Sequence, residues 1–283
     1  MIVFRQRANI LAFVAILAAG NHAHAQRIID TLFAPSVGQQ RAIVICLPAH
    51  YDPSDRYPVL YLLHGYDGSH RDWTERTGIE EFIASWPLIV VMPDAGNSWY
   101  VNSPAQPSKR YEDYIINDLR LHVEGRYRVD STRRAIAGLS MGGYGALVLA
   151  MRHPDLYRFS GSLSGAVVVP RSLLRQEDNP PRPAIRSTQK AAFGEPTEEV
   201  FDRYDLGRLA KTLTPGTSPY FYLVTGIQDP LVEFLPAQRV LAEEFRIAQL
   251  PYEFHETPGG HSWSYWDREI RPLLTRMREV LRF

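Results

Sequence analysis

The chain has 283 residues, of which 45% are hydrophobic and 22% are charged. This content excludes a disordered, collagen-like or coiled-coil protein, and it is sufficient for one large hydrophobic core. The 31 basic and 31 acidic side chains cancel, so no net field attracts nucleic acid or an anionic membrane. The single cysteine excludes a disulfide framework and a multi-thiolate metal centre.

The first 25 residues have the pattern of a secretory signal peptide. Arg5 and Arg7 give a basic start, an almost wholly apolar stretch follows over 10–19, and Ala23-His24-Ala25 has the small-x-small form of a cleavage site. Cleavage after Ala25 would begin the mature chain at Gln26, which predicts a periplasmic or secreted protein without membrane contact. The alternative is an uncleaved anchor, although the apolar stretch is short for a hydrocarbon layer of ~30 Å.

Beyond this segment, apolar runs of strand length alternate with helical patterns. Near-continuous hydrophobic runs are typical of parallel strands that are covered on both faces. They occur at 42–47, 59–63, 88–92, 134–137, 159–163 and 220–224. This order predicts an α/β protein, with a single domain over 26–283 built on a mostly parallel, doubly wound sheet. Cys46 lies in the first run and is predicted to be a buried strand residue, and not a nucleophile or ligand.

Helical periodicity fills several of the intervals between these runs. A stripe of apolar residues four positions apart predicts one amphipathic helix, and its members are Tyr111, Ile115, Leu119, Val123 and Tyr127. Further helices are predicted at 142–152, 235–247 and 263–281, and we expect Pro272 to interrupt the last of them.

Residues 171–219 break the alternation, because they are rich in proline, arginine and acidic side chains. The segment is too polar for a core strand and too long for a plain loop, which predicts a helical insertion. Two interpretations stay open at this point. The insertion forms a partial lid over a pocket, or it is a solvent-exposed segment without a role at a pocket.

The motif Gly138-x-Ser140-x-Gly142 follows an apolar strand and precedes a helix of small residues. This context is typical of a nucleophile elbow, in which a strained turn exposes the serine hydroxyl above the sheet. Glycine is needed two positions to either side, because a β-carbon there would collide with the neighbouring strand or helix. Ser140 is therefore the predicted nucleophile.

A serine nucleophile needs an adjacent base, and His261 is the candidate. It stands in a glycine loop after a strand-like segment, where open α/β sheets place functional groups. A zinc site made with His255 and Glu256 is disfavoured, because the spacing differs from a zinc-binding helix and Pro258 forbids one. We therefore expect neither a metal nor an organic cofactor.

The acid that orients the histidine is predicted to be Asp229, which follows the strand at 220–224. The chain order serine, aspartate, histidine is the order expected for this elbow. Asp205 and Glu233 are the alternatives, and Asp229 is also placed to cap the next helix. The oxyanion-hole donors are predicted to be the amides of Met141 and of Tyr66, since Tyr66 follows an apolar strand in a glycine turn.

These motifs resemble the "Putative esterase" (esterase D-like) family of α/β hydrolases, which includes tributyrin, feruloyl and acetylxylan esterases, S-formylglutathione hydrolases and the antigen 85 mycolyltransferases. The motifs that carry the resemblance are His64-Gly65, Pro93-Asp94, 97–100, 138–143 and 259–263. The resemblance covers about residue 41 to the end of the chain. It implies an α/β-hydrolase fold, a triad of Ser140, Asp229 and His261, and oxyanion amides at Tyr66 and Met141. The insertion at 171–219 resembles the family least.

The sequence gives fewer indications of the substrate. Trp73, Trp99 and Trp263 are predicted to lie in loops near the motifs, where they form an aromatic wall or simply pack. The predicted function is an exported serine carboxylesterase acting on small-molecule or carbohydrate esters through an acyl-enzyme. The alternatives are an acyltransferase at the same site and a catalytically silent binding protein. Nothing in the sequence specifies an oligomeric state.

Overall fold

The computed structural model describes residues 25–175 and 182–283. In this part of the chain, eight strands form one sheet in the order β1-β2-β4-β3-β5-β6-β7-β8. The strands are β1 (Gln26–Ala34), β2 (Gln39–Leu47), β3 (Tyr57–Leu63), β4 (Ile89–Pro93), β5 (Val129–Leu139), β6 (Phe159–Leu163), β7 (Tyr220–Gly226) and β8 (Tyr252–Thr257).

The sheet is parallel from β4 to β8 and antiparallel at one edge. The β1–β2 and β2–β4 pairs are antiparallel, whereas each later pair is parallel. The predicted mostly parallel α/β sheet is therefore confirmed. β1 did not figure among the predicted strands, because it is an edge strand in which polar residues such as Asp30 and Thr31 interrupt the apolar ones.

Helices cover both faces of this sheet. Their bounds are α1 (Asp72–Arg76), α2 (Ile79–Ile83), α3 (Tyr111–Asp113), a π-helical turn (Tyr114–Leu119), α4 (Arg120–Glu124), α5 (Met141–Arg152), a 3-10 turn (Arg171–Leu174), α6 (Pro183–Phe193), α7 (Glu198–Tyr204), α8 (Leu206–Ala210), α9 (Phe234–Ile247) and α10 (Trp263–Leu281). The predicted amphipathic helix is thus the continuous segment from α3 to α4, with a π-helical middle, and it ends at Glu124, before Tyr127 of the predicted stripe.

Alternate residues of β3 show how the two faces are buried. Val59 and Tyr61 pack into the hydrophobic cluster under α5 and α9. Leu60 and Leu62 pack into the cluster under α1, α2 and α10. Burial on both faces explains why the central strands are continuously apolar in sequence. Cys46 lies on β2 and is fully buried, as predicted, and this burial raises the pKa of its thiol to about 12.

The predicted interruption of the last helix is wrong, because α10 continues through Pro272. Proline removes one backbone hydrogen bond from a helix interior. Burial of the adjacent Ile270, Leu273 and Leu274 against the sheet keeps the chain helical across that position. Tertiary packing here outweighs the local cost of the proline.

The insertion connects β6 to β7, and its described residues form the 3-10 turn and the helices α6, α7 and α8, joined by turns. Tyr204 is fully buried in it and accepts a hydrogen bond at its carbonyl oxygen from the hydroxyl of Tyr144 on α5, at 2.9 Å. The insertion is therefore packed on the core helix that follows the elbow.

The predicted signal peptide lies outside the described residues, apart from Ala25. Within 25–175 and 182–283, none of the helices combines the length and the apolar character needed to cross a membrane.

Candidate active site

Ser140 occupies a sharp turn between β5 and α5. Its backbone has φ +52° and ψ −117°, a conformation that residues with a β-carbon rarely adopt. A β-carbon on Gly138 would lie 2.5 Å from the carbonyl group of Gly142, and one on Gly142 would lie 2.4 Å from the carbonyl oxygen of His64. The two flanking glycines are therefore required by the close approach of strand, turn and helix.

The loops after β7 and β8 are held together in the same way. A β-carbon on Gly226 would lie 2.3 Å from the carbonyl oxygen of Gly259, and the amide of Gln228 donates to that oxygen at 2.9 Å. Gly259 itself has φ +134°, which favours glycine. This contact brings the loop carrying Asp229 beside the loop carrying His261.

The three predicted triad residues meet at this edge of the sheet. The Oγ atom of Ser140 lies 2.9 Å from Nε2 of His261. The other ring nitrogen, Nδ1, lies 2.8 Å from Oδ2 of Asp229. The Asp229 side chain is 1% exposed, and its second oxygen accepts from the amide of Leu231 at 2.9 Å. This geometry permits proton transfer from the serine to a histidine whose tautomer the carboxylate selects.

The alternative acids have other partners. Asp205 binds the guanidinium of Arg171 and accepts a hydrogen bond from the amide of Arg208 at the start of α8. Glu233 lines the cavity described below, and the carboxylate in contact with His261 is that of Asp229. Asp229 also accepts from the following backbone, so it both contacts the histidine and stabilises its own turn.

The turn after β3 lies against the elbow. A β-carbon on Gly65 would be 3.5 Å from Cβ of Ser140, which places the next amide, that of Tyr66, near the serine. Within the described residues, neither this amide nor that of Met141 donates a hydrogen bond. Two free donors beside a nucleophile, one at a helix N-terminus, suit a developing oxyanion.

His64 holds this turn, a function that sequence reasoning did not identify. Its Nε2 accepts from the amide of Ala95 at 3.0 Å, so Nδ1 carries the proton and donates to the carbonyl oxygen of Gly65 at 2.7 Å. Burial lowers the pKa of the imidazole, which favours this neutral form. The available sequence signal was a histidine placed directly before the glycine turn at the end of a strand.

A cavity of about 620 Å³ opens above Ser140 and His261. One side is formed by the turns after β3 and β7, including Tyr66 and Leu231. The insertion forms the other side, and its described contribution includes Ser172, Arg175, Arg182, Ile185, Arg186 and Gln189.

The tryptophans differ in their relation to this cavity. Trp99 and Trp263 line it, although Trp263 is the first residue of α10 and does not lie in the expected loop. Trp73 does not lie in the expected loop, since it belongs to α1, is fully buried, and donates from its indole nitrogen to the carbonyl oxygen of Leu63 at 3.1 Å. Trp266 is buried but also lines the cavity, with its ring 4.8 Å from that of His261.

Comparison with known proteins identifies the family. Residues 34–277 match the family described as "Putative esterase". An esterase of Mycobacterium tuberculosis strain H37Rv is 32% identical over 249 residues, which are 80% of this chain and 53% of that protein, so the chain spans about half its length. An acetyl esterase of Caldicellulosiruptor saccharolyticus is 26% identical, with 80% of this chain and 85% of that protein covered.

The solved structure of the fluorophosphonate-binding serine hydrolase F of Staphylococcus aureus superposes with a TM-score of 0.74 at 26% identity, over 89% of this chain and 98% of that one. A ferulic acid esterase superposes with a TM-score of 0.72 at 25% identity, over 90% and 99%. The chain belongs to the putative esterase family, and its fold is the α/β-hydrolase fold.

Proposed function

We propose that this protein is an exported serine carboxylesterase that hydrolyses short acyl or carbohydrate-linked esters through an acyl-enzyme. The observation that carries the proposal is the continuous hydrogen-bonded series Ser140–His261–Asp229 at the floor of a cavity. The relatives named esterase and acetyl esterase support the reaction class. Export rests on the signal pattern of the first 25 residues.

The first half-reaction forms the acyl-enzyme. The Oγ atom of Ser140 attacks the ester carbonyl carbon while its proton passes to Nε2 of His261. Asp229 stabilises the imidazolium that results. When the tetrahedral intermediate collapses, the bond to the alcohol oxygen breaks, and the alcohol leaves with the proton from His261. The acyl group remains bonded to Ser140.

The second half-reaction repeats these steps with water. His261 takes a proton from a water molecule, whose oxygen attacks the acyl carbon. Collapse of the second intermediate returns a proton from His261 to Ser140 and releases the carboxylic acid. An acyltransferase would use an acceptor alcohol in place of water at this step.

The amides of Tyr66 and Met141 receive the negative charge of the oxyanion in both half-reactions. Each such donor typically contributes about 3 kcal/mol of transition-state stabilisation. The N-terminus of α5 adds its partial positive charge at the same place. These donors belong to the backbone, so the chemistry depends on the turns and not on the side chains of these two residues.

Labelling with a fluorophosphonate probe tests this function directly. The wild-type protein should be labelled at Ser140 and should hydrolyse p-nitrophenyl acetate, because the probe reacts with an activated serine. Ser140→Ala should abolish labelling and lower kcat by at least about 10⁴-fold with an unchanged melting temperature. Ser264→Ala, at an exposed serine close in sequence to His261, is the matched control and should behave as wild type.

Two results would contradict the proposal. A folded wild-type protein that is neither labelled nor active on any ester would be a binding protein with this fold. A protein that is labelled, but that yields acylated alcohol and little free acid when a sugar acceptor is added, would be an acyltransferase.

A further inference from the structure

Trp99 and Tyr100 both have left-handed backbone conformations, with φ +58° and +59°. Residues with a β-carbon rarely adopt this conformation, and two in succession persist only where the surrounding contacts hold them. Such strain is concentrated at functional sites. The need to connect β4 to α3 does not by itself explain why these two residues adopt a strained conformation.

Tyr100 anchors the turn to the oxyanion side of the site. It is fully buried, and its hydroxyl donates to the carbonyl oxygen of His64 at 2.9 Å. Gly145 of α5 leaves room for the ring, since a β-carbon there would lie 2.4 Å from Cδ2 of Tyr100. With Tyr100 held in this position, the preceding Trp99 reaches the catalytic cavity.

Trp99 in turn is held by the insertion. Its indole nitrogen donates to Oγ1 of Thr188 on α6 at 3.1 Å. Its ring packs at 6.3 Å from the ring of Tyr144 and at 6.2 Å from that of Phe193. The side chain is 2% exposed, so it is a rigid part of the cavity wall.

A second cavity of about 190 Å³ lies beyond this wall. It is lined by residues of the same turn, Asn97, Ser98 and Val101, and by Thr188 and Ala191 of α6. Other residues of α6, among them Ile185 and Gln189, line the catalytic cavity. The turn and α6 therefore lie between the two cavities. Trp99 lines the catalytic cavity, and Thr188, which accepts the hydrogen bond from its indole nitrogen, lines the second.

We propose that Trp99 sets the length limit of the substrate by closing the catalytic cavity on the side of α6. This inference rests on the proposed esterase function. A substrate chain that extends from the scissile ester towards α6 ends against the indole. Removing the indole opens the space that it fills towards Thr188 and provides room for several more methylene groups. Trp99 is thus a specificity-determining residue, and the proton transfers do not depend on it.

Two ester series test this inference and show which part of the substrate faces Trp99. In one series, p-nitrophenyl esters vary the acyl chain from two to ten carbons; in the other, acetate esters vary the alcohol over the same lengths. Trp99→Ala should raise kcat/KM of the longest member relative to the shortest by at least about tenfold in one series, since even one methylene changes specificity by roughly that factor. Trp99→Phe should shift the same ratio by a smaller factor.

Trp86→Ala is the matched control, because Trp86 packs on Phe82 and Phe283 and is not among the residues lining either cavity. It should keep the wild-type ratio in both series. The inference is overturned if Trp99→Ala is folded, hydrolyses p-nitrophenyl acetate, and keeps long-to-short ratios within about twofold of wild type. Should Trp99→Ala unfold, Trp99→Leu replaces it under the same criterion. A wild-type protein inactive on both series would instead refute the esterase function.

Discussion

The catalytic edge of the sheet and the insertion over 171–219 line the same cavity but are built differently. At the catalytic edge, backbone segments touch at Gly138, Gly142 and Gly226 without room for a β-carbon. The insertion is held by long side chains instead. Arg152 of α5, for example, donates to the carbonyl oxygen of Arg203 at 3.1 Å.

Because of this difference, we expect the reaction to depend on the catalytic edge and the choice of substrate to depend on the insertion. Backbone contacts hold Ser140, His261 and the proposed oxyanion amides in place to within the tolerance that proton transfer needs. A segment held by side chains can change its sequence while the edge beneath it keeps its geometry. We therefore expect substitutions at the catalytic edge to be severe and comparable substitutions in the insertion to be mild.

Two aspartates provide the sharpest test of this expectation. Asp229→Asn should lower kcat by about 10³–10⁴-fold with little change in stability, because an amide favours the wrong histidine tautomer. Asp205→Asn removes the charge of a buried side chain of the insertion that caps α8 and binds Arg171. Asparagine caps a helix about as well as aspartate, so the loss is that of the ion pair, which should cost about 1 kcal/mol of unfolding free energy and leave kcat within about twofold. Steady-state kinetics and urea unfolding of the two variants make this comparison.

Glu233→Gln extends the test to the acid that lines the cavity. The Glu233→Gln variant should retain most of the wild-type kcat, because Asp229 is the acid that is hydrogen-bonded to His261. A near-wild-type Asp229→Asn together with an inactive Glu233→Gln would show that the acid had been assigned to the wrong residue.

Two glycine-to-alanine substitutions test the same comparison through the free energy of unfolding. Gly138→Ala should lower the unfolding free energy by at least about 3 kcal/mol, since its β-carbon would lie 2.5 Å from the backbone of Gly142. Gly216→Ala, at an exposed position of the insertion with no atom within 4 Å of the added β-carbon, should change it by less than about 0.5 kcal/mol. Equal effects in denaturant unfolding would show that the edge relaxes more readily than its contacts indicate.

The sequence was most informative where local constraint is strongest. Glycines on both sides of Ser140 predict the elbow because few other residues fit there, and the continuously apolar strands predict a sheet that is covered on both faces. The structure brings Asp229 and His261 to Ser140, although they lie far apart in the chain, because parallel strands deliver their following loops to one edge.

Features that depend on tertiary packing could not be predicted from local patterns. Trp73 follows a polar turn in the sequence, and its burial in α1 depends on Leu63 and Trp263. Pro272 is tolerated because α10 packs on the sheet. The strained turn at Trp99 and Tyr100 depends on contacts with α5 and α6. Neither residue is a glycine, so the sequence did not indicate a left-handed conformation there.

The smallest effect is expected for a substitution at Tyr66, which contributes to the site through its backbone and through its side chain. Its amide is the proposed oxyanion donor, whereas its side chain lines the cavity. Tyr66→Phe keeps the amide and removes only the phenolic hydroxyl, so kcat on p-nitrophenyl acetate should change by less than about threefold, against the 10²–10³-fold typical for loss of an oxyanion donor. Steady-state kinetics with this ester measure the change. A fall of a hundredfold would assign the phenol itself to the reacting groups, and the oxyanion hole would then depend on a side chain as well as on the backbone.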